Sequence, residues 1–401
     1  MQFFKRSFRY HRTSYFLTRI TFTSLTGLML LLALSACGDS ATATPVSTGA
    51  NTPGRAIPTA DLGNSSPATT AAVNSTSGAT PSASAQTAAN GSAAIKIRVS
   101  YPGEKTTGNG QMAARFADLV TKKTGGRVEF EFYPNSSIAG GDQLTAINMV
   151  RADKLEAVIS QASFFGTIDP VIELLNYPFL FNSRQDAFRF LDSQAGKQLL
   201  DGLEQYNFKV LGFNDQGFRQ ISNSKRPVVS PADLAGLKIR IPQSNLYTRV
   251  LKALGAEPVT MNFSPELYKA LQVKTLDGQD APIMFSLTNK YQEVLPYTTL
   301  VNYSWDPLLL NFSVNFWKGL PADIQKALTE AGTEVTQVFN NEIDNNEKTA
   351  LDQFKAAGVQ VVKLTPEQHQ AFVNATSAIY QAAQQQYGKE MLDKIIKAAQ
   401  G

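Results

Sequence analysis

The chain has 401 residues, 43% of them hydrophobic, enough for a sizeable core and, at about 100 to 200 residues per domain, for two domains, so disorder throughout is excluded. A single cysteine, Cys37, and two separated histidines, His11 and His369, exclude an intrachain disulfide and a cysteine-based metal centre and leave a histidine cluster or a Ser-His-Asp site thinly supplied. The net charge of +4 belongs to the N-terminus: Lys5, Arg6, Arg9, Arg12 and Arg19 face no acid within residues 1–36, leaving 32 Lys and Arg against 33 Asp and Glu from Cys37 onward, so no nucleic-acid partner is expected.

Residues 1–36 have the order of a secretory leader: a basic start, an uncharged stretch from Ile20 to Ala36 with a leucine-rich centre at Leu28 to Leu34, then small residues. The stretch is marginal as a membrane span, which needs about 18 to 25 residues. Leu34, Ser35, Ala36 and Cys37 read like a bacterial lipobox, in which the cysteine is diacylated and becomes the new N-terminus. An ordinary leader with a chance cysteine, or an uncleaved anchor, is the alternative. Gly38 to Ala94 is mostly Ala, Ser, Thr, Gly, Pro and Asn, with no aromatic residue and three charges, Asp39, Arg55 and Asp61. Such a stretch buries too little apolar surface to offset ordering and reads as a tether, with a root-mean-square span of roughly 40 Å; a glycosylated stalk would look similar.

From Ile95 onward strand and helix patterns alternate. Ile95–Ser100 and Val128–Tyr133 alternate apolar and polar residues as half-buried strands do, and between them Gln111–Thr124 carries Met112, Phe116, Leu119 and Val120 at helical spacing before Gly125 and Gly126. Further helices are expected near 142–152 and 185–206, with strands near 157–160 and 209–213. The second half adds strands at 237–241 and 256–261 around a helix at 245–254. Ser230, Ser264 and Thr365 each precede a proline and a first-turn acid, as N-caps do. The longest helical pattern begins at Pro321 and exceeds 30 residues, long enough to brace two lobes. The fold class is α/β.

Enzymatic motifs are mostly absent. Gly103 to Gly110 has the glycine spacing of a phosphate loop, but Asn109 stands where lysine is needed, and neither a Gly-x-Ser-x-Gly nor a His-Glu-x-x-His pattern occurs. What stands out is 217–282: Gly217-Phe218-Arg219, then Leu234 through Arg240 to Ile241, Pro242, Gln243 and Ser244, then Tyr268 to Gln272 and Leu276-Asp277-Gly278-Gln279. With Lys123 to Arg127, Tyr177 to Phe181 and Leu320 to Gln325, these ordered motifs make nearly all of residues 95–401 resemble a solute-binding protein of the tripartite ATP-independent periplasmic (TRAP) transporter family.

The resemblance implies two α/β lobes closing on a ligand between them, with a long bracing helix and no enzymatic activity. Lobe I would be 95–216 with about 306–345, and lobe II 217–305 with about 346–401. It implies a small organic acid as ligand, two membrane subunits as partners, no cofactor and an extracytoplasmic location, lipid-anchored through Cys37. By family pattern Arg240 is the principal carboxylate contact; the strand register places it and Lys238 opposite Leu237, Ile239 and Ile241, and a guanidinium fork matches a carboxylate. Arg219 takes a second arginine position, in the cleft or in a surface ion pair. Phe263 is a cleft aromatic or a staple against Tyr268, Gln243 a polar contact or a helix cap, and Trp305 a cleft or a core residue; Asp280 completes the set. Relatives commonly carry asparagine where this chain has Ala281, which weakens the expectation of a polyhydroxylated sugar acid. A receptor for an ATP-driven importer or a sensor, and an exported enzyme acting on an organic acid, are the readings from other classes.

Overall fold

The computed structural model describes residues 94–401; the expected leader, Cys37 and the tether lie outside the described residues. The first β-α-β unit follows its sequence pattern closely. In β1 (Ile95–Ser100) Ile97 and Val99 are buried, and in α1 (Gly108–Thr124) the stripe of Met112, Phe116 and Val120 is buried against it. Thr107 caps α1, which therefore starts three residues before the apolar spacing does, and Gly125 ends it in the left-handed region at φ 62°, where glycine carries no Cβ penalty.

β2 (Val128–Tyr133), α2 (Gln143–Arg151), β3 (Ala157–Gln161), α3 (Ala162–Phe165), α4 (Arg184–Asp192), α5 (Gln194–Asp201) and β4 (Phe208–Asn214) complete the first half. The second contains β5 (Arg219–Asn223), β6 (Lys238–Ile241), α6 (Asn245–Ala253), β7 (Glu257–Thr260), α7 (Pro265–Gln272), β8 (Gly278–Pro282), α8 (Ile283–Thr288) and β9 (Tyr297–Leu300). The chain then returns through β10 (Leu308–Ser313) and α9 (Val314–Lys318) to α10 (Ala322–Ala356), β11 (Gln360–Lys363), α11 (Pro366–Ala375), α12 (Ser377–Tyr387) and α13 (Lys389–Gln400).

Two mixed sheets result, one in the order β2-β1-β3-β10-β4 and one in the order β11-β9-β5-β8-β6-β7. In the first, β10 runs antiparallel between β3 and β4; in the second, β5 runs antiparallel between β8 and β9. The chain crosses between the sheets three times: from β4 to β5, from β9 to β10, and along α10. At about 1.5 Å per residue, the 35 residues of α10 reach roughly 50 Å, and the helix packs on β4 and α1 near its start and on α8 and β11 further along. Of the C-terminal helices, α12 packs against α6, while α13 packs against α4 and α5 of the first half.

Candidate ligand-binding site

The crossing strands bring the two sheets together around a narrow cavity of about 20 Å³. Its walls differ in chemistry. The second half supplies Arg219 and Arg240 together with an apolar surface of Pro242, Phe263, Ala281, Pro282 and Phe285; the first half supplies Gln143, Gln161 and Phe164; the crossing segments supply Gln216 and Asp306.

Arg240 owes its place to the pleat of β6. Ile239 and Ile241 point into the core with no exposure, and Arg240 between them points the other way, yet the opposing half covers it to 4% exposure. Its Nε donates to the Met261 carbonyl at 2.8 Å. Its two terminal nitrogens have no hydrogen-bond partner in the protein, and among the described residues no carboxylate pairs with it. Burial lowers its pKa to about 10, outweighing the attraction of Tyr291 and Asp280. It remains a cation at neutral pH, with its fork unused.

Arg219 opens β5 at the other side of the cavity and is fully engaged. Its Nε and Nη2 hold the two oxygens of Asp280 at 2.7 and 3.0 Å, Nη1 holds Asp306 at 3.0 Å, and the guanidinium lies 4.5 Å from the centre of the Tyr247 ring. Burial disfavours its charge, but the attraction of Asp280 holds its pKa well above the ordinary value. Asp306 is further held by the backbone N–H and hydroxyl of Ser163 at 3.1 and 2.9 Å and by the Asn176 amide at 3.0 Å. Burial nevertheless raises its pKa, against the pull of Arg219.

The other expected site residues distribute unevenly. Phe263 lines the cavity and packs edge-on against Phe285, with centroids 5.1 Å apart, while Tyr268 stacks instead on Tyr291. Asp280 lies behind Arg219 rather than on the cavity wall and also accepts from the Tyr303 hydroxyl. Trp305 is in the aromatic core with Phe181 and Phe213, its indole N–H donating to Asp215 at 2.7 Å. Gln243 lies outside the cavity and reaches across the cleft to Asp142 at 3.5 Å, beside Asn262, which donates to the same oxygen at 2.9 Å. Gln143, Gln161, Gln216 and Asp306 were not anticipated. They sit at element ends in no recognisable spacing, and only the placement of Asp306 between a tryptophan and a proline hinted at burial.

The cavity adjoins, at Phe263, two larger spaces of about 190 and 630 Å³. The acids Glu104, Asp142, Asp215 and Glu342 line them, with no lysine or arginine. A buried guanidinium with a free fork, beside amides and an apolar wall, is suited to hold a carboxylate by two parallel hydrogen bonds.

Comparison with known proteins agrees with this geometry. Residues 100–386 match the family described as bacterial extracellular solute-binding protein, family 7. The 2,3-diketo-L-gulonate-binding periplasmic protein YiaO of Escherichia coli (strain K12) is 32% identical over 67% of this chain and 81% of its own length. The C4-dicarboxylate-binding periplasmic protein DctP of Rhodobacter capsulatus is 31% identical over 76% and 91%. A crystal structure of a TRAP periplasmic solute-binding protein from Polaromonas sp. JS666 bound to D-erythronate superposes with a TM-score of 0.71, at 28% identity, over 75% of this chain and 98% of that one. The chain belongs to this family of TRAP solute-binding proteins, and its two-sheet α/β architecture is the family's.

Proposed function

We propose that this family member is an extracytoplasmic receptor that closes on a small organic carboxylate held by Arg240 and presents it to the membrane subunits of a TRAP transporter. The observation that carries the reading is the Arg240 fork, buried at 4% exposure with no acid partner. The depression of its pKa to about 10, caused chiefly by desolvation, corresponds to a net cost of about 3 kcal/mol for the charged form. A closed cleft without ligand bears that cost; a carboxylate opposite the fork offsets it. Ligand therefore favours the closed arrangement by the difference in interaction between the two states.

A thermal-shift screen of organic acids against matched neutral alcohols and amines tests this. An acid at 100 times its dissociation constant should stabilise the protein by about 2.7 kcal/mol, and the neutral and cationic analogues should leave the melting temperature unchanged. Stabilisation by the neutral analogues to the same extent contradicts the reading.

The finer location rests on sequence alone. The lipobox-like Leu34 to Cys37 and the polar stretch after it support diacylation of Cys37 and tethering of the receptor to a membrane surface, since a single acyl chain anchors only marginally. Cys37→Ser should abolish incorporation of labelled fatty acid and release the chain; labelling that persists in the variant refutes the anchor.

A further inference from the structure

The charges of the whole cleft are unbalanced in a way that bears on which acids fit. Across its three cavities the lining cations are Arg219 and Arg240, and the lining acids are Glu104, Asp142, Asp215, Asp306 and Glu342. Arg219 is neutralised by Asp280 and Asp306. One carboxylate on the Arg240 fork thus uses the last unpaired cation lining the cleft among the described residues. A second carboxylate on the same ligand would be buried without a partner and near Asp306, the most costly arrangement for a charge in a protein interior.

The uncharged polar capacity lies elsewhere, on the first half. Gln161 closes β3 at the cavity wall; its Oε1 is buried with no hydrogen-bond partner, and its Nε2 makes no bond to the protein. Gln143 beside it is anchored by the Ser160 hydroxyl at 3.3 Å. A primary amide offers one acceptor and two donors, so it matches a hydroxyl or a carbonyl. Facing these amides, Pro242, Phe263, Ala281 and Phe285 have no polar side-chain group.

We infer that the site selects monocarboxylates over dicarboxylates, and that Gln161 determines specificity by hydrogen-bonding an uncharged hydroxyl or carbonyl on the body of the ligand. The inference rests on the carboxylate-receptor reading and narrows it. The test is calorimetric titration of the full chain with matched acids: malate against 2-hydroxybutanoate and 2-oxoglutarate against 2-oxopentanoate, in which a methyl group replaces the far carboxylate, with butanoate and pentanoate lacking the central oxygen. The monocarboxylate of each pair should bind at least about tenfold more tightly, the scale of one unpaired buried charge or more. Gln161→Leu should weaken 2-hydroxybutanoate or 2-oxopentanoate by about 5- to 150-fold and the deoxygenated acid by less than about threefold. Equal or tighter binding of the dicarboxylates overturns the selectivity while leaving the carboxylate reading intact. Equal loss for oxygenated and deoxygenated acids in Gln161→Leu overturns the role of Gln161, and a parent that binds none of the acids overturns both readings.

Discussion

Ala281 stands on the cavity wall between Asp280, which holds Arg219, and Pro282, at 2% exposure. An asparagine there would turn an amide toward the apolar face formed with Phe263 and Phe285. A buried amide without a partner costs about 1 to 3 kcal/mol, so Ala281→Asn should weaken the native ligand by about 5- to 150-fold while a polyhydroxylated acid holds or gains. Titration of both variants with the best acid of the screen checks this, and unchanged or tighter binding to Ala281→Asn removes the apolar wall from the account. At this scale the sequence was informative where a local rule applied. Arg240 was assigned from the family resemblance; the alternation of its strand supplied only the direction of its side chain, because a pleat fixes that direction, and alone fits a solvated arginine as well. Gln161, Gln216 and Asp306 were not, because their positions arise from the meeting of segments far apart in the chain: Asp306 meets Ser163 and Arg219 at separations of 143 and 87 residues.

Among elements, α10 was legible from its long apolar spacing, but the reason it fits against β4 was not. A Cβ on Gly212 would lie 2.7 Å from the Gly332 carbonyl oxygen, and one on Gly332 would press on the Leu211 carbonyl. The two glycines let helix and strand backbones approach, and the Thr336 hydroxyl then accepts from the Phe213 N–H at 3.0 Å. Gly332→Ala gains about 1 kcal/mol of helix propensity but inserts a methyl group between two backbones, and overpacking costs about 1 to 3 kcal/mol. The substitution should therefore lower the thermal midpoint, and a raised midpoint contradicts the packing argument. The strands β5 and β8 carried weaker patterns. β5 reads Arg, Gln, Ile, Ser, Asn and β8 reads Gly, Gln, Asp, Ala, Pro, and all ten residues are buried. Most of their polar groups tolerate that burial by pairing, Arg219 with Asp280, Ser222 with Thr298 at 2.9 Å and the Gln279 Nε2 with Ser286 at 2.7 Å, while the Gln279 Oε1 has no partner. Periodicity of hydrophobic residues cannot register a strand stabilised in this way.

Residues 94–401 form two sheets joined by crossing strands and α10, with polar ties on both sides of the cavity. At the mouth, Asp142 caps α2 through the Thr145 N–H and accepts from Gln243 and Asn262 of the other half. At the crossing segments, buried Arg184 joins Asp215 to Asp344 and Glu347 of α10. Neither tie involves Arg240, so its fork stays without a partner in the protein. Removing one partner of a desolvated charge pair costs about 2 to 5 kcal/mol, equivalent to a loss of about 30-fold to several thousandfold in affinity at 1.4 kcal/mol per tenfold. Lysine in place of Arg240 keeps the charge but loses the fork and should rescue poorly. Calorimetric titration of the best acid into the parent, Arg240→Ala and Arg240→Lys, with circular dichroism to confirm the fold, is the direct measurement: both variants should show that large loss, and binding of either within about threefold of the parent would contradict a carboxylate seat at Arg240.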